Sequence, residues 1–132
     1  MAGVRKEEPL EVMERAHKQS VRVPADEQAL YVQEVLGSRL AAAALGLKDT
    51  RTLSSWSRGG PIRGMNAEHQ LQVLFRVTTA INETFGSAVA AAFLRGNNPV
   101  LGNRAPLVVL ADEAPVRSEP RLLAAVEALL TA

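Results

Sequence analysis

The sequence predicts an all-α protein, and three observations lead to that fold class. Hydrophobic residues make up 47% of the 132 residues, which is enough to build a buried core. Most of them are Ala, Leu and Val, and aromatic residues make up only 4%, so the core must form by close packing of helices over small side chains. Runs in which apolar and polar residues alternate, the pattern typical of half-buried strands, are scarce.

The first 24 residues carry many charges of both signs and show no strong hydrophobic periodicity. A loose helix over Glu7–Ser20 would have only Val12 and Met13 as apolar anchors. Because so few apolar residues could hold such a helix against a core, we expect residues 1–24 to form a flexible N-terminal arm.

Residues 25–65 predict three helices separated by glycines. The first covers Ala25–Leu36 and the second Arg39–Leu45, and the third begins after a cap at Asp49 or Thr50 and runs to about Arg58. Asp26 and Ser38 are the expected N-terminal caps of the first two helices. The breaks are expected at three places, namely Gly37, Gly46 and Gly59-Gly60-Pro61.

Residues 66–132 predict four more helices and a turn. A long helix follows a cap at Asn66, and shorter ones are expected over Ala88–Arg95, after a cap at Ser87, and from Pro106 to Ala111. The last helix is expected to begin at a Ser118 cap, after a loop over Asp112–Val116, and to carry an apolar stripe to the C-terminus. Between these helices, the segment Asn97–Asn103 has the composition of turns.

The stretch from Ser38 to Arg58 has the pattern of a helix-turn-helix motif. Ala42 is the small residue that lets two helices approach, Gly46 provides the turn, and Leu47 is the apolar residue after it. The helix that follows would bury Leu53 and Trp56 and leave its polar residues outward. We therefore predict a DNA-binding domain over residues 25–65.

Basic charge is concentrated in this part of the chain. Residues 37–65 contain five Lys or Arg and one Asp, a local charge of +4, whereas the formal charge of the whole chain is +1. Arginine can bond guanine with two hydrogen bonds, and Ser and Thr can bond bases or phosphates. The candidate DNA-binding residues are Arg51, Thr52, Ser54, Ser55, Arg58 and Lys48. Lys48 and Arg63 are expected to contact phosphates at the flanks.

The C-terminal half contains an unusual order of features, with a glycine-ended helix, Asn98-Pro99, Leu101-Gly102 and then a helix begun by Pro106. This segment resembles the toxin-binding domain of the Xre/MbcA/ParS antitoxin family. The stretch from Gly46 to Trp56 is similar to the helix-turn-helix half of the same family. The resemblance covers about residues 28–131.

This resemblance implies an antitoxin of a type II toxin-antitoxin system. Members of that family neutralise a RES-type toxin that degrades NAD and bind operator DNA to repress their own operon. They form homodimers, or hetero-oligomers with the toxin. Residues 66–132 would then be the toxin-binding domain, shaped by the turn residues Asn98, Pro99, Leu101 and Gly102. The expected contacts with the toxin are Arg104, Arg117, Arg121 and the final turn, which ends at Ala132.

Features that enzymes and metal sites need are missing from the sequence. There is no cysteine, and the two histidines, His17 and His69, are far apart and are expected to lie on the surface. No phosphate-binding loop or nucleophile motif is present. We therefore expect no enzymatic activity, no cofactor and no metal. The charged N-terminus and the short apolar runs predict a cytoplasmic protein with no membrane segment.

Two alternatives to the antitoxin hypothesis stay open. One is a stand-alone helix-turn-helix transcriptional regulator whose C-terminal helices only mediate dimerisation. The other is a protein-interaction module whose helix-turn-helix has lost its affinity for DNA. A toxin gene beside this one would favour the antitoxin, whereas an absence of effect on replacing Arg51 and Arg58 would favour the interaction module.

Overall fold

The computed structural model describes residues 8–132, and these form eight α-helices and one short 3-10 helix. The helices are α1 (Pro9–Arg22), α2 (Ala25–Leu36), α3 (Ser38–Ala44), α4 (Thr50–Ser57), α5 (Ala67–Phe85), α6 (Ser87–Arg95), α7 (Pro106–Asp112) and α8 (Pro115–Thr131), with the 3-10 helix at Pro99–Leu101 between α6 and α7. The described residues contain no strand, so the all-α prediction is confirmed.

Helix α5 is the centre of the fold. It contacts α1, α2, α6, α7 and α8, and its middle is buried on nearly all sides, including the polar residues Thr78 and Thr79. A helix at the surface of a globular protein buries one apolar face. The structure buries more than that face because neighbouring helices enclose α5 from several directions.

Helix α1 differs from the flexible arm that the sequence predicted. Val12, Ala16 and Ser20 follow one another at intervals of four residues and are buried, and α1 packs against α5 and α8. The side chain of Arg15 also donates a hydrogen bond to Glu83 of α5, at 3.0 Å. Small residues let the helices approach closely, and a search for large apolar anchors overlooks them. Residues 1–7 of the predicted arm lie outside the described residues.

Both sides of the predicted domain boundary at residues 65 and 66 contribute to one hydrophobic cluster. Val32, Leu53 and Trp56 from the first side belong to it together with Leu74 and Val126 from the second. Helix α3 packs against α7 as well as against α2 and α4. The α3–α4 unit therefore rests on the C-terminal helices through a shared core.

Several helix starts differ from the predicted caps. The side chain of Asp49 does cap α4, accepting a hydrogen bond from the backbone N–H of Arg51 at 2.9 Å. Five other predicted caps make no side-chain capping bond: Asp26, Ser38, Asn66, Ser87 and Ser118. Helix α8 begins at Pro115, within the predicted loop, because the fixed φ of proline suits the first position of a helix.

Candidate nucleic-acid interface

The turn between α3 and α4 is a compact glycine-ended helix terminus. The N–H of Leu47 donates to the carbonyl of Ala42 at 2.9 Å, and the N–H of Gly46 donates to the carbonyl of Ala43 at 3.0 Å. This pair of bonds is the Schellman motif, and it needs a residue of positive φ, which Gly46 supplies at +69°. A Cβ on Gly46 would also lie 3.4 Å from the carbonyl oxygen of Ala111, so the turn sits close against α7.

Two apolar residues of helix α4 anchor it to the hydrophobic core. Leu53 and Trp56 are buried in the core, where α4 packs against α2 and α3. On the opposite side, Arg51 in the first turn and Arg58 at the C-cap are seven residues apart, so they lie on one side of the helix, and both are exposed. The two arginines are therefore carried by a helix whose position is fixed by core packing.

The six predicted DNA-binding residues fall into two groups. Arg51, Thr52, Arg58 and Lys48 are exposed. Ser54 and Ser55 are half-buried instead of outward, because each contacts a neighbouring element.

The two serines have local partners that explain their burial. The hydroxyl of Ser54 accepts a hydrogen bond from the side-chain amide of Gln33 in α2, at 3.4 Å. Ser55 is covered by Gly60, since a Cβ on Gly60 would collide with the Ser55 hydroxyl. These serines fix the edges of α4 more than they extend its exposed face.

The C-terminal end of α4 carries a second Schellman motif. The N–H of Gly59 donates to the carbonyl of Trp56 at 3.0 Å, and the N–H of Gly60 donates to the carbonyl of Ser55 at 2.8 Å. Gly59 has a φ of +86°, which only glycine adopts without strain. The chain therefore leaves α4 in a defined direction.

The charges around α4 are mostly left without an acidic partner. Arg39, Lys48, Arg58 and Arg63 are exposed and make no ion pair within residues 8–132. Arg51 is different, because its guanidinium lies 3.0 Å from the Asp49 carboxylate. The hydrogen bond between these side chains lowers the pKa of Asp49 and raises that of Arg51. The side chain of Arg51 is nevertheless almost fully exposed.

Two open cavities lie on either side of the first turn of α4. One, of about 370 Å³, is lined by Arg39, Lys48 and Thr50 among others. The other, of about 350 Å³, is lined by Thr52 and Arg63 among others. Arg39 was not among the predicted site residues, although it contributes to the basic charge of this part of the chain. Only the fold reveals that Arg39 and Lys48 line the same cavity, because the two residues belong to α3 and to the following turn.

The Asn98–Arg104 turn in the C-terminal half is stabilised by its own residues. The side-chain oxygen of Asn98 accepts a hydrogen bond from the N–H of Val100 at 3.0 Å. The backbone carbonyl of Asn98 accepts hydrogen bonds from the N–H groups of Leu101 and Asn103. Leu101 is buried and Gly102 has a left-handed conformation, so both are structural, whereas Pro99 is exposed. Of this group, Pro99 alone offers its side chain to a partner.

Two of the predicted toxin-contacting arginines are held by carboxylates. Glu113, just after α7, lies 2.7 Å from Arg104 and 2.6 Å from Arg121, and Asp112 lies 3.7 Å from Arg104. Burial raises the pKa of Glu113, but the hydrogen bonds and charges of Arg121 and Arg104 outweigh this and keep the pKa below its ordinary value. Arg117 and Ala132 are exposed and form no ion pair within the described chain.

The two histidines lie in different surroundings. His17 is exposed on α1, whereas His69 is half-buried, and its Nε2 lies 3.1 Å from a carboxylate oxygen of Glu119. Across residues 8–132, no group of three or more His, Asp or Glu side chains is placed to hold a metal ion. Within the same range, no helix is long and apolar enough to cross a membrane.

Comparisons with family models, with characterised proteins and with solved structures found no match to this chain.

Proposed function

We propose that this protein is the antitoxin of a type II toxin-antitoxin system, which neutralises a RES-type NAD-degrading toxin in the cytoplasm and represses its own operon. In this proposal the protein has no enzymatic activity, and its partners are the toxin, operator DNA and further copies of the same chain. The DNA-binding half rests on one observation in particular. Helix α4 is anchored by buried Leu53 and Trp56 and presents Arg51 and Arg58 on its exposed face.

In the proposed complex, α4 is the recognition helix of a helix-turn-helix and lies in the major groove. Arg51 and Thr52 lie in the first turn of the helix, at the end that contacts bases in such motifs, and Arg58 lies at its C-terminal end, where it is proposed to reach a base edge further along the groove. Lys48 and Arg39 lie beside the first turn and contact phosphates. Ser54 and Ser55 support the helix through Gln33 and Gly60.

The toxin-binding half of the proposal rests on the resemblance of residues 98–106 to the antitoxin family. Pro99, Val100, Val116 and Arg117 are exposed in this half, and so is the C-terminal Ala132. They are the first candidates for the toxin contact. Arg104 and Arg121 contribute less, because binding through them would require Glu113 to give up its ion pairs.

The DNA-binding proposal is tested by replacing Arg58 with alanine. A duplex is first selected from a random-sequence library by the wild-type protein, and affinities are then compared at a fixed salt concentration. Loss of a base-contacting arginine weakens binding by roughly fivefold to a hundredfold. Arg121→Ala is the matched control, since this arginine lies in α8, far along the chain and paired with Glu113. Equal affinities for all three proteins would contradict the proposal.

The toxin-binding proposal is tested by co-expression with the neighbouring reading frame. We expect the neighbour to consume NAD when purified alone, to co-purify with this protein, and to lose that activity in the complex. Val116→Asp and Arg117→Glu should then restore NAD consumption, whereas Val21→Asp on α1 should not. A neighbour that neither binds this protein nor consumes NAD would contradict the antitoxin function.

A stand-alone transcriptional regulator is the second candidate function. It is favoured by the exposed cationic residues around α4 that form no ion pair within residues 8–132, since no toxin is needed to account for them. In that case the protein would bind the selected duplex and lose affinity with Arg58→Ala, but the neighbouring protein would not co-purify. If Arg51→Ala and Arg58→Ala both leave DNA binding unchanged, the chain is an interaction module instead.

A further inference from the structure

The loop that joins α4 to α5, residues 58–66, exposes an apolar side chain between polar and basic ones. Met65 is 98% exposed, more than any other large hydrophobic residue among residues 8–132. Arg63 lies two residues before it and is also exposed, without an ion pair in the described chain. Burying this methionine against a partner would be favourable because it removes apolar area from water.

The loop is held at both ends and in the middle. It leaves α4 through the Schellman motif at Gly59 and Gly60, and Ile62 packs against the hydrophobic core. At the far end, the N–H of Ala67 donates to the carbonyl of Gly64 at 3.4 Å. Arg63 and Met65 therefore project from a supported backbone, and little ordering is needed before they bind a partner.

The loop returns alongside α4 instead of running away from it. Thr52, in the first turn of α4, and Arg63 line the same open cavity. On the other side of the first turn, Arg39 and Lys48 line the second cavity. The loop is therefore a lateral neighbour of the half of α4 that enters deepest into a major groove in helix-turn-helix complexes.

We propose that this loop contacts the DNA minor groove next to the major groove that α4 occupies, with Arg63 inside the groove and Met65 against its sugar walls. The inference rests on the proposed DNA-binding function. In homeodomains, whose recognition helix occupies the major groove, an arm of the same domain reaches into the adjacent minor groove, so one domain can contact both grooves. Arginine is attracted by the negative potential of a narrow minor groove, and methionine is among the apolar residues that proteins place there.

Dimethyl sulfate footprinting on the selected duplex tests this inference, because the reagent methylates guanine N7 in the major groove and adenine N3 in the minor groove. With the wild-type full-length protein we expect guanine N7 protection at the α4 site. We also expect adenine N3 protection about five base pairs away, half a helical turn along the duplex. Arg63→Ala should abolish the adenine protection and leave the guanine protection in place.

The outcomes separate the two proposals. Guanine protection without adenine protection in the wild type, or adenine protection that persists in Arg63→Ala, overturns the minor-groove contact and leaves the DNA-binding function intact. In the first case Arg63 contacts phosphates only. If the wild-type protein protects neither base and selects no duplex, both proposals fail. Circular dichroism of Arg63→Ala should match that of the wild type, since the side chain is exposed.

Met65 is tested by a separate affinity measurement. Met65→Ala should weaken binding to the selected duplex by roughly twofold to tenfold, since it removes apolar area that the minor groove covers. Val21→Ala is the control, because Val21 is also mostly exposed but lies on α1, which packs against α5 and α8. An affinity of Met65→Ala equal to that of the control would show that the groove does not cover the methionine.

Discussion

The surface around α4 and the corner between α7 and α8 use the same residue type in opposite ways. Around α4, Arg39, Arg58 and Arg63 are exposed and form no ion pair with any residue of the described range 8–132. At the α7–α8 corner, Arg104 and Arg121 converge on Glu113, which lies within 2.7 Å of both. The first surface can neutralise an anionic partner without losing internal contacts, whereas the second cannot.

This difference shows why counting exposed arginines does not locate a binding site. A paired arginine must break its ion pair before it meets a partner, and this cost offsets much of the gain. An unpaired arginine beside a fixed helix breaks no ion pair on binding, and the main cost is the entropy lost when its side chain is ordered. The contrast therefore favours α4 as the site of an anionic ligand and directs the search for a protein partner to Val100, Val116 and Arg117.

The largest effect is expected from removing the support under α4. Leu53→Ala deletes a fully buried side chain from the core, and such truncations cost about 2–5 kcal/mol of unfolding free energy. Urea unfolding followed by circular dichroism and by the fluorescence of the single tryptophan, Trp56, measures the loss. The variant should also bind DNA more weakly under conditions where part of it is unfolded.

Leu10→Ala provides the control for this measurement. Leu10 is a leucine of the same volume on α1, but it is mostly exposed. Its replacement should change the unfolding free energy by about 0.5 kcal/mol or less. If Leu53→Ala were equally mild, the anchoring of α4 by the core would be refuted.

Local patterns were sufficient to predict α4, and they were insufficient for α1. The cap, predicted at Asp49 or Thr50, and the spacing of Leu53 and Trp56 lie within one short stretch; the structure places the cap at Asp49 and buries both apolar residues. Helix α1 depends on Ala16 and Ser20 fitting against α5, which is a property of two distant segments. The sequence alone does not show whether a small residue lies at a contact between two helices or at a position exposed to solvent.

The same reasoning explains the sites that sequence alone did not resolve. Arg104 and Arg121 both pair with Glu113, which lies between the end of α7 at Asp112 and the start of α8 at Pro115, so their pairing depends on how the two helices meet. Ser54 and Ser55 occupy outward positions on an isolated helix. Their burial depends on α2 and on the loop after α4, which helical periodicity alone does not describe.

A smaller effect should come from the carboxylate at the centre of the corner. Glu113→Gln removes the charge that both arginines face and should lower the unfolding free energy by about 1 kcal/mol near neutral pH, since the arginines are partly exposed and screened by solvent. Asp112→Asn is the control, because its contact with Arg104 is longer and more exposed, and its effect should be smaller.

The contribution of Glu113 should also depend on pH. Its pKa is lower in the folded chain than its ordinary value of 4.5, so the contribution is complete above that value and is lost as the pH falls through the folded pKa. Urea unfolding at about pH 7 and about pH 3 should therefore show a difference between wild type and Glu113→Gln that shrinks at the lower pH. A difference that stays constant would mean that packing, not charge, explains the effect.

The smallest effect is expected where the α4 surface resembles the corner, at the pair formed by Asp49 and Arg51. Asp49→Asn retains a side-chain oxygen to cap α4 but removes the charge that holds Arg51. Since Arg51 is then free and an acidic group no longer faces the phosphates, DNA affinity should rise by about twofold to fivefold at low salt, and less at high salt. Glu127→Gln, which also removes one acidic charge but lies in α8, should raise the affinity less. If Asp49→Asn instead weakens binding, the carboxylate positions Arg51 for its base. The ion pair between Asp49 and Arg51 would then favour DNA binding, although it adds a negative charge to this surface.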